Sequence, residues 1–392
     1  MHTAFERAEY EARLSELQRR MSDRGLDALV VSDPANMYYL TGYDGWSFYV
    51  PQAVIVVLGE DQPVWIGRAQ DRNGAKLTTW LDDAHLESYP EAYVQQPDVH
   101  PMDVMADLLR RHGRASKTIG VEMDAYYYSA RAHAHLTRHL PDARFEDATL
   151  LVNWQRIVKS PQEIAYMRTA AAIASQAMGV AAQAIAVGAR ECDAAAAIFQ
   201  SQIAGLADKA GDYPAIVPLM PSRERTSASH LTWVDRHYTV GDTVNIELAG
   251  CYRRYHAPLS RTMALGRPSK QVEALAVAVA EGVNEALGSA RPGATCADVE
   301  AAWRKTIARH GFVKESRVGY AVGIGYPPDW GEHTASLREG DGTVLSPGMT
   351  FHLMAGMWLD AGGLEISETV LVTETGCEAL SDFHRGLVVK DS

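Results

Sequence analysis

A single acidic residue inside an otherwise apolar strand constrains this chain most. In Gly241-Asp242-Thr243-Val244-Asn245-Ile246-Glu247-Leu248-Ala249-Gly250, the apolar residues Val244, Ile246 and Leu248 alternate with Asn245 and Glu247. A strand of period two sends those two sets to opposite faces. A second strand candidate follows, Tyr255-His256-Ala257-Pro258-Leu259-Ser260-Arg261-Thr262. Val322-Gly323-Ile324-Gly325, Ser346-Pro347-Gly348-Met349-Thr350-Phe351 and Glu365-Ile366-Ser367-Glu368-Thr369 stand further on. Glu365 is in phase with Ser367, whereas Glu368 falls on the other face.

Two compact regions are expected, because the 392 residues exceed what one core usually serves. Residues 5–24 place Leu14, Leu17 and Met21 on one helical face. Strands are expected at 26–31, 53–58, 64–66 and 118–122, and helices near 68–80, 101–112 and 127–138. This alternation makes residues 1–155 a smaller α/β domain. Lys159-Ser160-Pro161-Gln162-Glu163 supplies a Ser cap, Pro at the first helical position and an acid in the first turn. A long helix to about residue 186 therefore opens a second domain, 156–392. Helices near 193–208, 268–288 and 296–310 follow, and residues 313–375 are mostly strand and turn.

Composition excludes several classes. A formal net charge of −12 argues against nucleic acid or an anionic membrane as the partner. The four cysteines are scattered without a Cys-x-x-Cys pair, as in a reducing compartment. No run of about eighteen apolar residues occurs, and the charged start Met1-His2-Thr3-Ala4-Phe5-Glu6-Arg7 is unlike a secretory signal, so a cytoplasmic location is expected. Neither a Walker loop nor a Gly-x-Gly-x-x-Gly is present, so no nucleotide cofactor is indicated.

In order and spacing, the C-terminal segments resemble the pita-bread family of methionine aminopeptidases, prolidases and creatinase. Asp33-Pro34-Ala35-Asn36-Met37-Tyr38-Tyr39-Leu40-Thr41-Gly42-Tyr43 likewise resembles the opening of the creatinase-type N-terminal domain. The resemblance implies an α+β fold with a pita-bread catalytic domain behind a smaller α/β domain. It also implies a homodimer in which one subunit's N-terminal loop caps the other's site. Dimetal members hold two cations with two Asp, one His and two Glu. Those places fall here on Glu247, Pro258, Val322, Met354 and Ser367. One carboxylate cannot hold two cations, so the expectation is a metal-free, cofactor-free site.

Such a site must act on a bond that protonation weakens, such as a C–N bond of an amidine or guanidine. The resemblance therefore implies a hydrolase of a small cyclic amidine. A creatinase-like hydrolase of another amidine or guanidine, or a catalytically dead binding module, is the alternative. It further implies His230, which matches the family's proton-transfer histidine, and Glu247 and Glu365 as catalytic residues. Tyr255 either hydrogen-bonds substrate or packs. Asp329, Trp330, Glu332 and His333 form either a substrate loop or a solvent-exposed one. Trp46 and Phe48, in Gly45-Trp46-Ser47-Phe48-Tyr49, either wall a cationic ligand as the cap or pack in a core.

Overall fold

The computed structural model describes residues 3–391. The chain divides into two compact units, Met1–Arg156 and Ile157–Ser392.

The first unit runs α1 (Arg7–Asp23), β1 (Ala28–Val31), α2 (Pro34–Thr41), β2 (Ala53–Val57), β3 (Val64–Arg68), α3 (Arg72–Thr78), β4 (Leu86–Tyr89), α4 (Pro101–Arg111), β5 (Thr118–Val121), α5 (Ala130–His139), β6 (Arg144–Asp147) and α6 (Leu151–Gln155). Its sheet has the order β4-β3-β2-β1-β5-β6. Parallel pairs flank an antiparallel centre in which β2 meets both β1 and β3. Every residue of β1 and β2 is buried, which explains their unbroken runs of Val, Ile and Ala. The stretch after Asp33, for which no element was expected, is the helix α2. The Asp33 side chain accepts from Ala35 N–H at 2.7 Å, and Pro34 takes the first turn. The helix expected at 68–80 begins as a 3₁₀ turn, Ala69–Asp71, before α3.

The second unit comprises α7 (Pro161–Ala184), α8 (Glu191–Ala204), β7 (Thr243–Tyr252), β8 (Tyr255–Leu265), α9 (Lys270–Ser289), α10 (Cys296–Arg309), β9 (Gly319–Tyr326), β10 (Asp329–Ser336), β11 (Thr350–Met354), β12 (Met357–Leu359), β13 (Gly362–Leu364), β14 (Ser367–Val372), β15 (Cys377–Ala379) and β16 (Val388–Lys390). Helix α7 starts at a complete capping box, Ser160 with Glu163. Gly205, at a positive φ of 65°, ends α8 earlier than the expected residue 208. The main sheet has the order β15-β14-β11-β9-β8-β16, with β7 and β10 added beside β8 and β9.

Close approach of α7 to β7 needs Gly250. A Cβ there would lie 1.9 Å from the Ala170 carbonyl oxygen. A second glycine, Gly323, makes room for charge: a Cβ would meet Glu332 Oε1 at 2.4 Å. Glu332 is paired with Lys159 Nζ at 2.7 Å, and both side chains are 1% exposed.

Candidate active site

The antiparallel β7–β8 pair sets Glu247 directly opposite Ser260, and β11–β14 sets Met354 opposite Ser367. Directly opposed residues put their side chains on one face. The outer edge of β7 at Glu247 is closed by Leu219, through paired backbone bonds of 2.9 Å. With its backbone satisfied on that side, Glu247 is held on the same face as Ser260, only 5% exposed. The Glu247 carboxyl makes no hydrogen bond among the described residues, and His352 Nδ1 lies 4.0 Å from it. Across from it, the buried Ser260 hydroxyl also lacks a protein partner. Two adjacent polar groups left without bonds in a buried place define a ligand-facing surface, because burial without compensation costs free energy.

The charge there is concentrated. Burial, then the negative charges of Glu365 and Asp329, push the Glu247 carboxyl well above the usual carboxylate range. Burial likewise raises Glu365 to about 7, opposed by a hydrogen bond from Trp358 and by the charge of Lys314. Trp358 Nε1 donates to Glu365 Oε1 at 2.8 Å. The Trp358 ring also lies 4.3 Å under Lys314 Nζ, which donates to the Gly356 carbonyl. Burial pulls Lys314 down to about 8, with Glu365 acting in the opposite sense. Arg317 sits 4.4 Å over the Tyr320 ring and donates to Ser336 Oγ at 3.1 Å.

His352 organises the floor. Its Nε2 is 2.7 Å from Ser367 Oγ and its Nδ1 is 3.1 Å from Tyr320 Oη. Trp330 Nε1 donates to Tyr320 Oη at 3.0 Å, and Ser260 N–H donates to Ser367 Oγ at 2.7 Å. Burial, with some repulsion from Arg317, lowers His352 to about 3, so the ring stays neutral. A neutral imidazole between two hydroxyls accepts from one and donates to the other in either tautomer. Behind the floor, Arg261 bonds the Ser260 and Ser367 carbonyls at 2.8 and 2.6 Å and pairs with Glu368 at 2.6 Å.

Several of the expected site residues have partners within the protein. The Tyr255 hydroxyl donates to Glu163 Oε1 at 2.7 Å and serves the start of α7. Glu332 is consumed by Lys159. Trp330 is fully buried and supports Tyr320, so it orients the floor. Asp329 and His333 pair at 2.6 Å between Oδ2 and Nε2. Burial works to raise Asp329, but the His333 and Gly331 hydrogen bonds hold it below its ordinary value. His230 is exposed and contacts Ser229 Oγ at 3.2 Å, just after the 3₁₀ turn Arg223–Ser227. Thr226 of that turn bonds Gly363 N–H at 3.1 Å, which anchors the turn next to β13. In the first unit Trp46 is 56% exposed, with its ring 4.9 Å from Phe48, so these aromatics are not core residues.

Sequence reasoning missed His352, Tyr320, Lys314, Arg317 and Trp358. His352 is two residues before Met354 on β11, and Tyr320 is two before Val322 on β9. Period two already placed both beside expected cavity positions. Lys314 and Arg317 sit in the loop between α10 and β9, where no periodicity reports direction.

The donor set does not fit a two-cation centre. Pro258 and Val322 are buried with no side-chain donor, Met354 offers a thioether, and Ser367 Oγ is held by Ser260 and His352. Hard divalent cations take several oxygen or imidazole ligands.

Comparison with known proteins agrees with this architecture. Residues 165–374 match the model of metallopeptidase family M24, and residues 13–158 match the creatinase/prolidase N-terminal domain. The chain therefore belongs to the creatinase, prolidase and methionine aminopeptidase family of pita-bread proteins. It is 48% identical over 393 residues to an ectoine hydrolase of Halomonas elongata, covering 98% of each chain. It is 47% identical to an uncharacterised hydrolase/peptidase of Sinorhizobium fredii, covering 99% of each. The prolidase structure from Pyrococcus horikoshii superposes with a TM-score of 0.81 at 22% identity, covering 95% of this chain and 99% of that one, which speaks for the fold alone.

Proposed function

We propose that this protein hydrolyses the cyclic amidine of ectoine to N-acetyl-2,4-diaminobutyrate, without a metal ion. The observation that carries the reading is the buried, hydrogen-bond-free carboxyl of Glu247 beside the acids Glu365 and Asp329. A delocalised amidinium supplies the positive charge and N–H donors that such a surface lacks. The similarity to the Halomonas ectoine hydrolase over nearly the whole chain supports this cyclic amidine in particular.

In the proposed reaction the amidinium enters beside Glu247, and the amidine carbon gains oxygen from water. Glu247 either aligns that water or first adds its carboxylate oxygen to the amidine carbon; water then attacks the same carbon and the bond to Glu247 breaks, returning the carboxylate. One C–N bond of the ring breaks, the carbon becomes the acetamide carbonyl, and the departing nitrogen takes up a proton. Glu365, raised to about 7, can as the carboxylate take a proton from the attacking water and pass it to that nitrogen. His230, on the segment anchored beside β13, is proposed to exchange it with solvent. Lys314 and Arg317 are proposed to receive the substrate carboxylate, since they are the cations flanking Trp358 and Tyr320. In a homodimer, the segment that carries the exposed Trp46 and the half-buried Phe48 of one subunit would cover the site of the other.

The test is direct. The purified protein is incubated with ectoine in water enriched in oxygen-18, with creatine and open-chain amidines in parallel. Label in the acetyl carbonyl of the product supports the reading. Turnover of another substrate, with ectoine untouched, sinks it.

A further inference from the structure

A cluster of metal-binding groups lies within the first unit. His135 and His139 are one turn apart on α5 and so share a face. Asp103, the third residue of α4, meets both. Its Oδ1 is 2.8 Å from His135 Nδ1 and 3.3 Å from His139 Nε2. Its Oδ2 is already spent, accepting the His100 backbone N–H at 2.9 Å in the α4 capping box. One carboxylate oxygen and two imidazole nitrogens thus converge, all within 4.8 Å of one another.

We infer that Asp103, His135 and His139 form a binding site for a divalent transition-metal ion of the zinc type, with water as the fourth ligand. Zinc–nitrogen and zinc–oxygen bonds of about 2.0–2.2 Å set tetrahedral ligand atoms roughly 3.4 Å apart. The Asp103–His139 edge already has that length, and the Asp103–His135 edge needs to open by roughly half an ångström by the same geometry. Carboxylate plus imidazole suits zinc, cobalt or nickel better than calcium or magnesium. His135 and Asp103 are buried, while the His139 side chain is 38% exposed and leaves an entry for the ion and its water.

The surroundings leave room for the added charge. Imidazole ligates a metal only in its neutral form, so the metal-bound trio would contribute a single negative charge to a dication. Arg131, one turn before His135, directs its guanidinium to the carbonyls of Gln96 and Pro97 at 2.6 Å. Arg110 holds the His139 carbonyl at 2.7 Å, which fixes the helix turn that carries the ligand. His100 does not compete, since its Nδ1 accepts Met102 N–H at 3.1 Å. The bound ion would clamp α4 to α5, a structural role independent of hydrolysis.

The experiment uses the full-length protein after chelation and dialysis. Cobalt(II) is titrated with visible absorption as the readout, then displaced by zinc, and binding is counted per chain by equilibrium dialysis. One ion per chain with tetrahedral cobalt bands, and a raised Tm when zinc is added, is the expected result. His139→Gln, a half-exposed position, should keep the metal-free Tm. It should weaken binding by more than the roughly tenfold to hundredfold that loss of an outer partner costs. Absence of cobalt binding at micromolar ion, or unchanged binding in the His139→Gln protein, overturns the proposal.

Discussion

Glu247 Oε1 and His352 Nδ1 face one another across 4.0 Å, both deep in the sheet. That separation is too long for a hydrogen bond. Neither group neutralises the other: the imidazole is driven down and the carboxyl up, each by its own burial. The pair is therefore two uncharged or nearly uncharged groups that a cation can reorganise.

Glu247→Gln keeps the shape and removes the group's capacity to ionise beside a cation. Its kcat against ectoine should fall by about a hundredfold to ten-thousandfold, the usual contribution of a positioned acid–base group. Steady-state rates with mass-spectrometric product detection measure this. Residual activity within a few-fold of the parent would remove Glu247 from the chemistry.

The activity should rise with pH through about 7, because Glu365 carries its negative charge only above that value. Stability should run the opposite way. A carboxyl held near 7 in the folded protein and near 4.5 in the unfolded one binds more protons when folded between those values. Its favourable contribution is complete below about 4.5 and lost as pH climbs through 7. Glu365→Gln should flatten the rise in kcat/KM and lift Tm at pH 8, with little change near pH 4; calorimetry across that range checks both.

Lys314→Ala should raise KM for ectoine by about tenfold or more while kcat changes little, the signature of a lost uniform binding contact. A cyclic amidine without a carboxylate should show the same KM with both proteins. An equal loss on both substrates would assign Lys314 to positioning Trp358 instead.

Glu332→Ala tests a residue that the sequence left in either a substrate loop or a solvent-exposed one. Leaving Lys159 buried without its partner should cost about 3–5 kcal/mol of stability. Denaturant melts should show that loss, and KM at a permissive temperature should hold. Pairing the change with Lys159→Met should recover part of the stability.

Chelation should leave ectoine turnover unchanged even if it removes metal from the protein. Metal content and rate have to be read on the same sample, because Asp103, His135 and His139 of the first unit offer an ion a place that Glu247 of the second unit does not share. A rate that falls on chelation and returns with added ion would oblige a cation in the reaction.

The architecture was readable because long periodic segments and strong caps dominate it. Ser160-Pro161 with Glu163 fixed the start of α7, and alternation around Glu247 fixed β7. The floor was less readable. His352 lies in an apolar strand where a buried imidazole and a structural one look alike, and only its partners Tyr320 and Ser367 identify it. Tyr255 and Glu332 misled because each is a polar residue near the site whose bond is satisfied by an element distant in sequence, Glu163 or Lys159. Pairings across 92 and 173 residues leave no local pattern.

The crowding of acids around Glu247 means that the pocket is least comfortable when nothing occupies it. Selection then begins with electrostatics and only afterwards with outline. A neutral look-alike of the same contour would leave the acids facing each other unrelieved, and would be turned away however well it fitted.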